Sequence, residues 1–340
     1  MGQISLFDNE NILSALSKHG DPLERLNQSI EWKQFRVPLH KAFKKDRLSN
    51  AGRPPYDYLK MFKILILQEL YNLSDSQTQF QILDRYSFKR FVGISPEDTV
   101  PDEKTIWHFR EYLSENGMFV NLFSTFNSFL DKNGYKAQKG MIVDANIVEV
   151  PKQRNTRDDN KQIKEENAVP EDWKNNPPKL RQKDTDARWL TKNGEKHFGY
   201  KNHICIDNKH KLIRSGVTTP AHVHDSEALF DLLNHANSSK DLWGDSAYRS
   251  SEIEEVLLES GYRSKIHKKG YRNKPLSKFQ QSVNTKKSRV RARVEHVFGR
   301  MAMMHGNTLR CIGQLRAASR NAMRNLVYNL TRYETLARCI

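Results

Sequence analysis

The sequence predicts a two-part molecule, an all-helical N-terminal domain over residues 1–135 followed by a mixed α/β domain over residues 136–340. Three observations predict it. Apolar side chains before residue 135 recur at spacings of three and four, with few strand signals between them. From Gly140 the pattern changes to short runs rich in Ile and Val. Strands and helices then alternate towards the C-terminus, as in a sheet flanked by helices.

Each element has a local reason. Pro54 and Pro55 make a turn that feeds an apolar helix from about Asp57 to Tyr71. Ser74 and Gln77 form a capping-box pattern that opens a helix through Phe80, Ile82 and Leu83. Asp102 is placed to cap a helix carrying Ile106, Phe109 and Leu113. These short, tightly linked helices fit a helix-turn-helix module or a plain bundle equally well. GMIVDANIVEV then reads as a strand, with Asp144 set among apolar neighbours. A polar stretch over about 151–190 follows, and a structureless insert of that length is usually functional or disordered. HFGYKNHICIDNKHKLIRSGVTT reads as a hairpin turning at Asn208 and Lys209. Asp225 or Ser226 is expected to cap a helix running to about Asn237. The strand DLWGD ends at Asp245, Ser250 or Ser251 starts the helix EIEEVLLES, Gly261 closes it, and YRSKIH is a further strand. From about Thr285 the chain is expected to be helical to its end.

Composition narrows the partner. A formal net charge of +16 is the electrostatic footprint of a nucleic-acid binder. The bias peaks between Gly261 and Arg320, which hold sixteen Lys or Arg and a single acid, Glu295. An anionic membrane surface is the rival partner, weakened by the lack of a signal-peptide pattern and of any long apolar run. MFKILILQELY, interrupted by Lys63, Gln68 and Glu69, reads as a core helix. Cys205, Cys311 and Cys339 make no CxxC pair, so a reducing, cytoplasmic setting is expected. His222, His224 and Asp225 form the tightest histidine cluster, for which helix capping is a plainer role than metal binding.

Three carboxylates carry the chemical argument. Asp144 and Asp245 lie on separate strands and Glu295 on a late helix; were the strands neighbours and the helix packed across their edge, the three would meet. Carboxylates that meet repel one another and persist by binding hard cations such as Mg²⁺, which takes oxygen ligands and is completed by phosphate oxygens. Two such ions stabilise both the attacking and the leaving oxygen of a phosphoryl displacement. Plainer roles compete at two positions: Asp245 as a cap or turn residue, and Glu295 as the partner of Arg291, four residues earlier on the same helix. Val290, Val294, Val297, Phe298 and Met301 define an apolar stripe, and Glu295 falls at its flank. Arg289, Arg293 and Arg300 lie on the other side and suit phosphates.

These residues carry a resemblance. GRPPYDYLKMFKILILQELYNLSDSQ, SFKRFVGIS and TVPDEKTIWHFREYL resemble the N-terminal helical domain of bacterial insertion-sequence transposases of the DDE type, specifically the insertion-sequence-five family. IVDANIV, HFGYKNHICID, TTPAHVHDSEAL, WGDSAY and RARVEHVFG resemble its catalytic domain. The resemblance implies a ribonuclease-H-like fold with a catalytic, metal-binding triad at Asp144, Asp245 and Glu295, and two Mg²⁺ or Mn²⁺ ions. It implies cleavage at terminal inverted repeats and strand transfer into target DNA, by a homodimer or larger assembly on paired ends. DNA contacts are expected of Lys201, Arg249, Arg289, Arg291, Arg293 and Arg300. The family's Tyr and Lys positions around the third acid hold Ser288 and Ala302 here, with Lys287 and Arg300 as candidate stand-ins. A nuclease that never joins strands, and a DNA-binding regulator without catalysis, are the alternatives.

Overall fold

A computed structural model describes residues 8–43, 54–95, 97–166, 168–233 and 236–339. The chain divides into two compact units, Met1–Gly134 with Ala322–Ile340, and Tyr135–Asn321.

The first unit is helical. Its helices are α1 (Asp8–Lys18), α2 (Pro22–Ser29), α3 (Arg36–Phe43), α4 (Tyr58–Tyr71), α5 (Asp75–Asp84), α6 (Tyr86–Val92), α7 (Glu103–Glu115) and α8 (Met118–Lys132). The expected caps are in place: Asp57 accepts from the N–H groups of Leu59 and Lys60, Ser74 and Gln77 close a reciprocal box, and Asp102 accepts from Thr105. α4 is buried on every side from Met61 to Glu69, because α3, α5, α6 and α7 all pack on it. α5 runs through Phe80, Ile82 and Leu83 as expected. Thr78 and Ile82 are its buried residues, whereas Phe80 and Leu83 are exposed.

The second unit is built on one mixed sheet of six strands: β1 (Met141–Glu149), β2 (Arg188–Lys192), β3 (Glu195–Asp207), β4 (Ile213–Pro220), β5 (Asp241–Trp243) and β6 (Arg263–Ser264). The order is β2-β3-β1-β5-β6, with β4 also pairing β3. β1 runs antiparallel to β3 and parallel to β5, and β5 is parallel to β6. Gly140 has to be glycine at the entry to β1. Its φ is +86°, and a Cβ there would lie 2.5 Å from the carbonyl oxygen of Asp241.

The polar stretch 151–190 is ordered, contrary to the structureless insert expected. It forms α9 (Arg157–Lys161), a π turn at Gln162–Glu166, α10 (Glu171–Lys174) and α11 (Pro177–Leu180), and it buries Trp173 completely. Its end is fastened by Asp184, which accepts hydrogen bonds from Tyr200, Ala187 and Gly313. One aromatic and one buried acid thus anchor a segment whose average composition looks disordered.

Further along, α12 (Leu229–Leu232) is shorter than expected; residues 234 and 235, within the helix predicted to Asn237, lie outside the described residues. α13 (Ser251–Glu259) is capped by Ser250, and α14 (Lys278–Met303) by a Ser277–Gln280 box. α15 (Gln314–Ala337) contributes to both cores. Its Ala317 joins Val148, Phe198 and Tyr200 in the second unit, while its later turns group with the first. The reason is packing and pairing: Tyr333 meets Phe126 and Phe129 edge-on, and Arg324 pairs with buried Glu69 at 3.2 Å.

Candidate active site

Asp144 sits in the middle of β1 opposite Ile204 of β3. On the other side, β1 and β5 pair Met141 with Leu242 and Ile142 with Trp243. Carrying that parallel register two residues further sets Asp144 opposite Asp245. Gly244 is small because a Cβ would meet Tyr248 and Val143, each at 3.2 Å. Asp245 does act as a cap, accepting from Ala247 N at 2.8 Å to start the turn Ser246–Tyr248. One oxygen is used for this, and a carboxylate has capacity left over.

Glu295 lies on α14, whose buried face is Val294, Val297 and Met301. It pairs with Arg291, as the plainer reading has it, at 2.6 Å. The same guanidinium also donates to Asp144 at 2.7 Å. Arg291 therefore joins the first and third acids, and its contact with Asp144 has no signature in helical spacing.

The electrostatics around Asp144 are unfavourable to its charge. Burial above all, with repulsion from Asp245 and Asp225, raises its carboxyl to about 6 against the opposing pull of Arg291 and the Ala145 N–H. Asp225 is a site residue that sequence reasoning missed. His224, not Asp225 or Ser226, caps the turn Asp225–Ala228, which leaves Asp225 free to pair with Lys201 at 2.7 Å.

Three buried polar atoms in this neighbourhood, the hydroxyl of Tyr248, Nδ1 of His203 and Nε of Arg291, have no hydrogen-bond partner among the described residues. Tyr248 is fully buried, and burial followed by the charges of Asp144, Asp225 and Asp245 pushes its phenol upward. It stays protonated and can donate. His203 binds Thr219 through Nε2 at 2.8 Å and is held neutral, down at about 4, chiefly by burial.

The cations expected to hold DNA divide into two groups. Lys201 is buried against Asp225 and the Val223 carbonyl, Arg293 binds the carbonyl and side chain of Asn208, and Arg249 binds Ile266 O and Glu254. Arg289 and Arg300 are exposed on α14. Protein acceptors take the nitrogens of the first group.

As placed, no three His, Cys, Asp or Glu side chains among the described residues are close enough to share one ion, because Arg291 stands between Asp144 and Glu295. The donor chemistry nevertheless fits a hard divalent cation. Asp144 offers carboxylate oxygens from β1 and Asp245 from the turn that follows β5, and the Glu295 side chain is 58% exposed, so its carboxylate is not held by packing.

A family model described as a transposase DDE domain matches residues 135–330. The chain belongs to the DDE transposases. A second model, described as a transposase domain (DUF772), matches residues 11–112. Together they are compatible with the insertion-sequence-five subfamily. Among solved structures, the chain is similar to a piggyBac transposase synaptic complex with hairpin DNA, at 12% identity and a TM-score of 0.44, over 93% of this chain and 75% of that one. A likeness at that level adds nothing to the family assignment. The helical region and the sheet with its flanking helices are the ribonuclease-H-like arrangement of a DDE domain, and members of this family cut and transfer DNA strands, generally with divalent metal ions. No helix among the described residues is long and apolar enough to cross a membrane.

Proposed function

We propose that Asp144, Asp245 and Glu295 are the catalytic acids of this transposase and hold two Mg²⁺ or Mn²⁺ ions, cutting an insertion sequence at its inverted-repeat ends and joining them to target DNA. The observation that supports this reading is the nearness of Asp144 on β1 to Asp245, which follows the end of neighbouring β5 by two residues and repels the Asp144 carboxylate, with Arg291 tying Glu295 to the same point. When bound, the ions supply charge stabilisation to the attacking and leaving oxygens of the displacement.

The chain's own residues do the rest. Asp144 presents oxygens from β1 and Asp245 from the turn that follows β5. Arg291 neutralises Asp144 and Glu295, and its planar fork suits a phosphate as well as a carboxylate. Tyr248, protonated and unpartnered, offers a hydroxyl towards the same carboxylates. His203, neutral and tied to Thr219, adds no positive charge beside them. The partner is double-stranded DNA, terminal repeats and target, bound by a homodimer or larger assembly because two ends must be held at once.

The test is Asp144→Asn, assayed on DNA carrying the element's own ends with Mg²⁺. Cleavage should fall by roughly a thousandfold, a loss of about 4 kcal/mol of transition-state stabilisation, while DNA binding survives. Undiminished cutting would sink the assignment. Supplying pre-cut ends with free 3′-hydroxyls to the unaltered protein should yield joined product; hydrolysis without joining would mark a nuclease instead.

A further inference from the structure

The segment between β6 and α14 is polar, yet its backbone is firmly held. Asn284 of α14 clamps Lys268 from both sides, accepting from its N–H and donating to its carbonyl, each at 3.0 Å. Lys287 donates to Ile266 O at 2.8 Å, and Arg249 reaches the same carbonyl. Tyr271 and Lys274 exchange a pair of backbone hydrogen bonds that closes a tight turn. This is a fixed platform for side chains.

Those side chains are cations. A cleft of about 690 Å³ lies against the platform, and Arg249, Lys268, Lys269 and Lys274 line it together with Tyr271 and Ser277. Lys268, Lys269 and Lys274 are exposed, and no described residue forms an ion pair with any of them. Glu254 is the acid at the cleft, and Arg249 and the Ser264 hydroxyl already use it. Burial, together with the crowding of Arg249, Lys265 and Lys268, holds the neighbouring Lys287 ammonium below its usual range. Like charges kept together on a rigid concave wall, with no acid to neutralise them, call for an anion from outside. α13 and α14 both begin at this wall, which adds the positive ends of two helices.

We infer that this cleft binds consecutive backbone phosphates of the DNA strand that enters the active site, with Lys268, Lys269 and Lys274 as the phosphate contacts. The inference rests on the transposase reading. Its position supports the commitment to DNA, since Arg249 at the cleft follows directly on the turn capped by Asp245. Phosphate contacts position a strand without reading sequence, so the cleft should act on any duplex.

The test compares the full-length protein with a Lys268→Ala/Lys269→Ala/Lys274→Ala variant by titrating a terminal-repeat duplex and a scrambled duplex across a range of salt concentrations. Loss of three phosphate contacts should lower the slope of log affinity against log salt by about 2 to 3, equally for both duplexes. A variant with three Lys→Arg changes should keep the wild-type slope, and matching thermal melts should show that all three proteins fold. If the unaltered protein binds and cuts terminal-repeat DNA while the alanine variant keeps the full slope, the cleft assignment is overturned and the transposase reading stands. A loss confined to the terminal repeat would also overturn it. If the unaltered protein neither binds nor cuts, the transposase reading falls and takes this inference with it.

Discussion

Each unit buries charge, and the two do it differently. In the helical unit, Lys63 donates to Asn27 Oδ1 and Phe91 O and lies 4.6 Å from the centre of the Trp32 ring, while Glu69 pairs with Arg324. In the α/β unit, Asp144 has one cation to share with Glu295, repulsion from two other aspartates, and an unpartnered tyrosine hydroxyl nearby. The first arrangement completes itself; the second is incomplete without a ligand. Buried charge that finds its partners inside the fold is structural, and buried charge crowded by its own sign marks a site.

The sharpest way to break this contrast is to neutralise one glutamate in each unit. Glu295→Gln should cost roughly a thousandfold in cleavage, about 4 kcal/mol by transition-state arithmetic, with little change in melting temperature. Glu69→Gln removes the carboxylate charge that pairs with buried Arg324 and should cost about 3 kcal/mol of stability. Paired melts and cleavage assays check both. If the two changes give the same phenotype, the distinction fails.

Arg291 sharpens it next. With Arg291→Ala, Asp144 keeps its burial and loses its neutralising partner, so the metal-free protein should lose about 2 kcal/mol. Melts with a chelator and with Mg²⁺ should show the deficit shrinking when the ion is present. A deficit indifferent to metal would mean that Arg291 serves packing alone.

Lys63 supplies a pH signature for the helical unit. Burial lowers its ammonium from 10.5 to about 8. Between those values the unfolded chain still holds a proton that the folded chain has released, so stability rises with pH across that window. The unfavourable contribution is present in full below about pH 8. Screened by solvent, the rise should be on the order of 1 kcal/mol, and denaturant titrations at about pH 7 and about pH 10 should show it disappearing in Lys63→Met. The smallest expected effect is at the start of α7, where Asp102→Ala removes a cap and should cost about 1 kcal/mol or less, read in the same titrations.

Much of this was legible in the chain because it is local. A cap acts over three residues and an apolar stripe over one turn of helix, so Asp57, Ser74, Asp102, Ser250 and the strand through Asp144 could be read directly. The three acids stood out by type and position, and the plainer roles of Asp245 as a cap and Glu295 as an ion-pair partner were legible too and are both realised. Composition misled where a single residue overrides the average, as Trp173 does in the insert. What only the tertiary structure decided is partner choice across long separations: Arg291 with Asp144, Lys201 with Asp225, Arg293 with Asn208, and Arg324 with Glu69. The physical reason is that secondary structure follows from backbone geometry within a few residues. Which charge neutralises which is settled only when strands and helices far apart in sequence pack together.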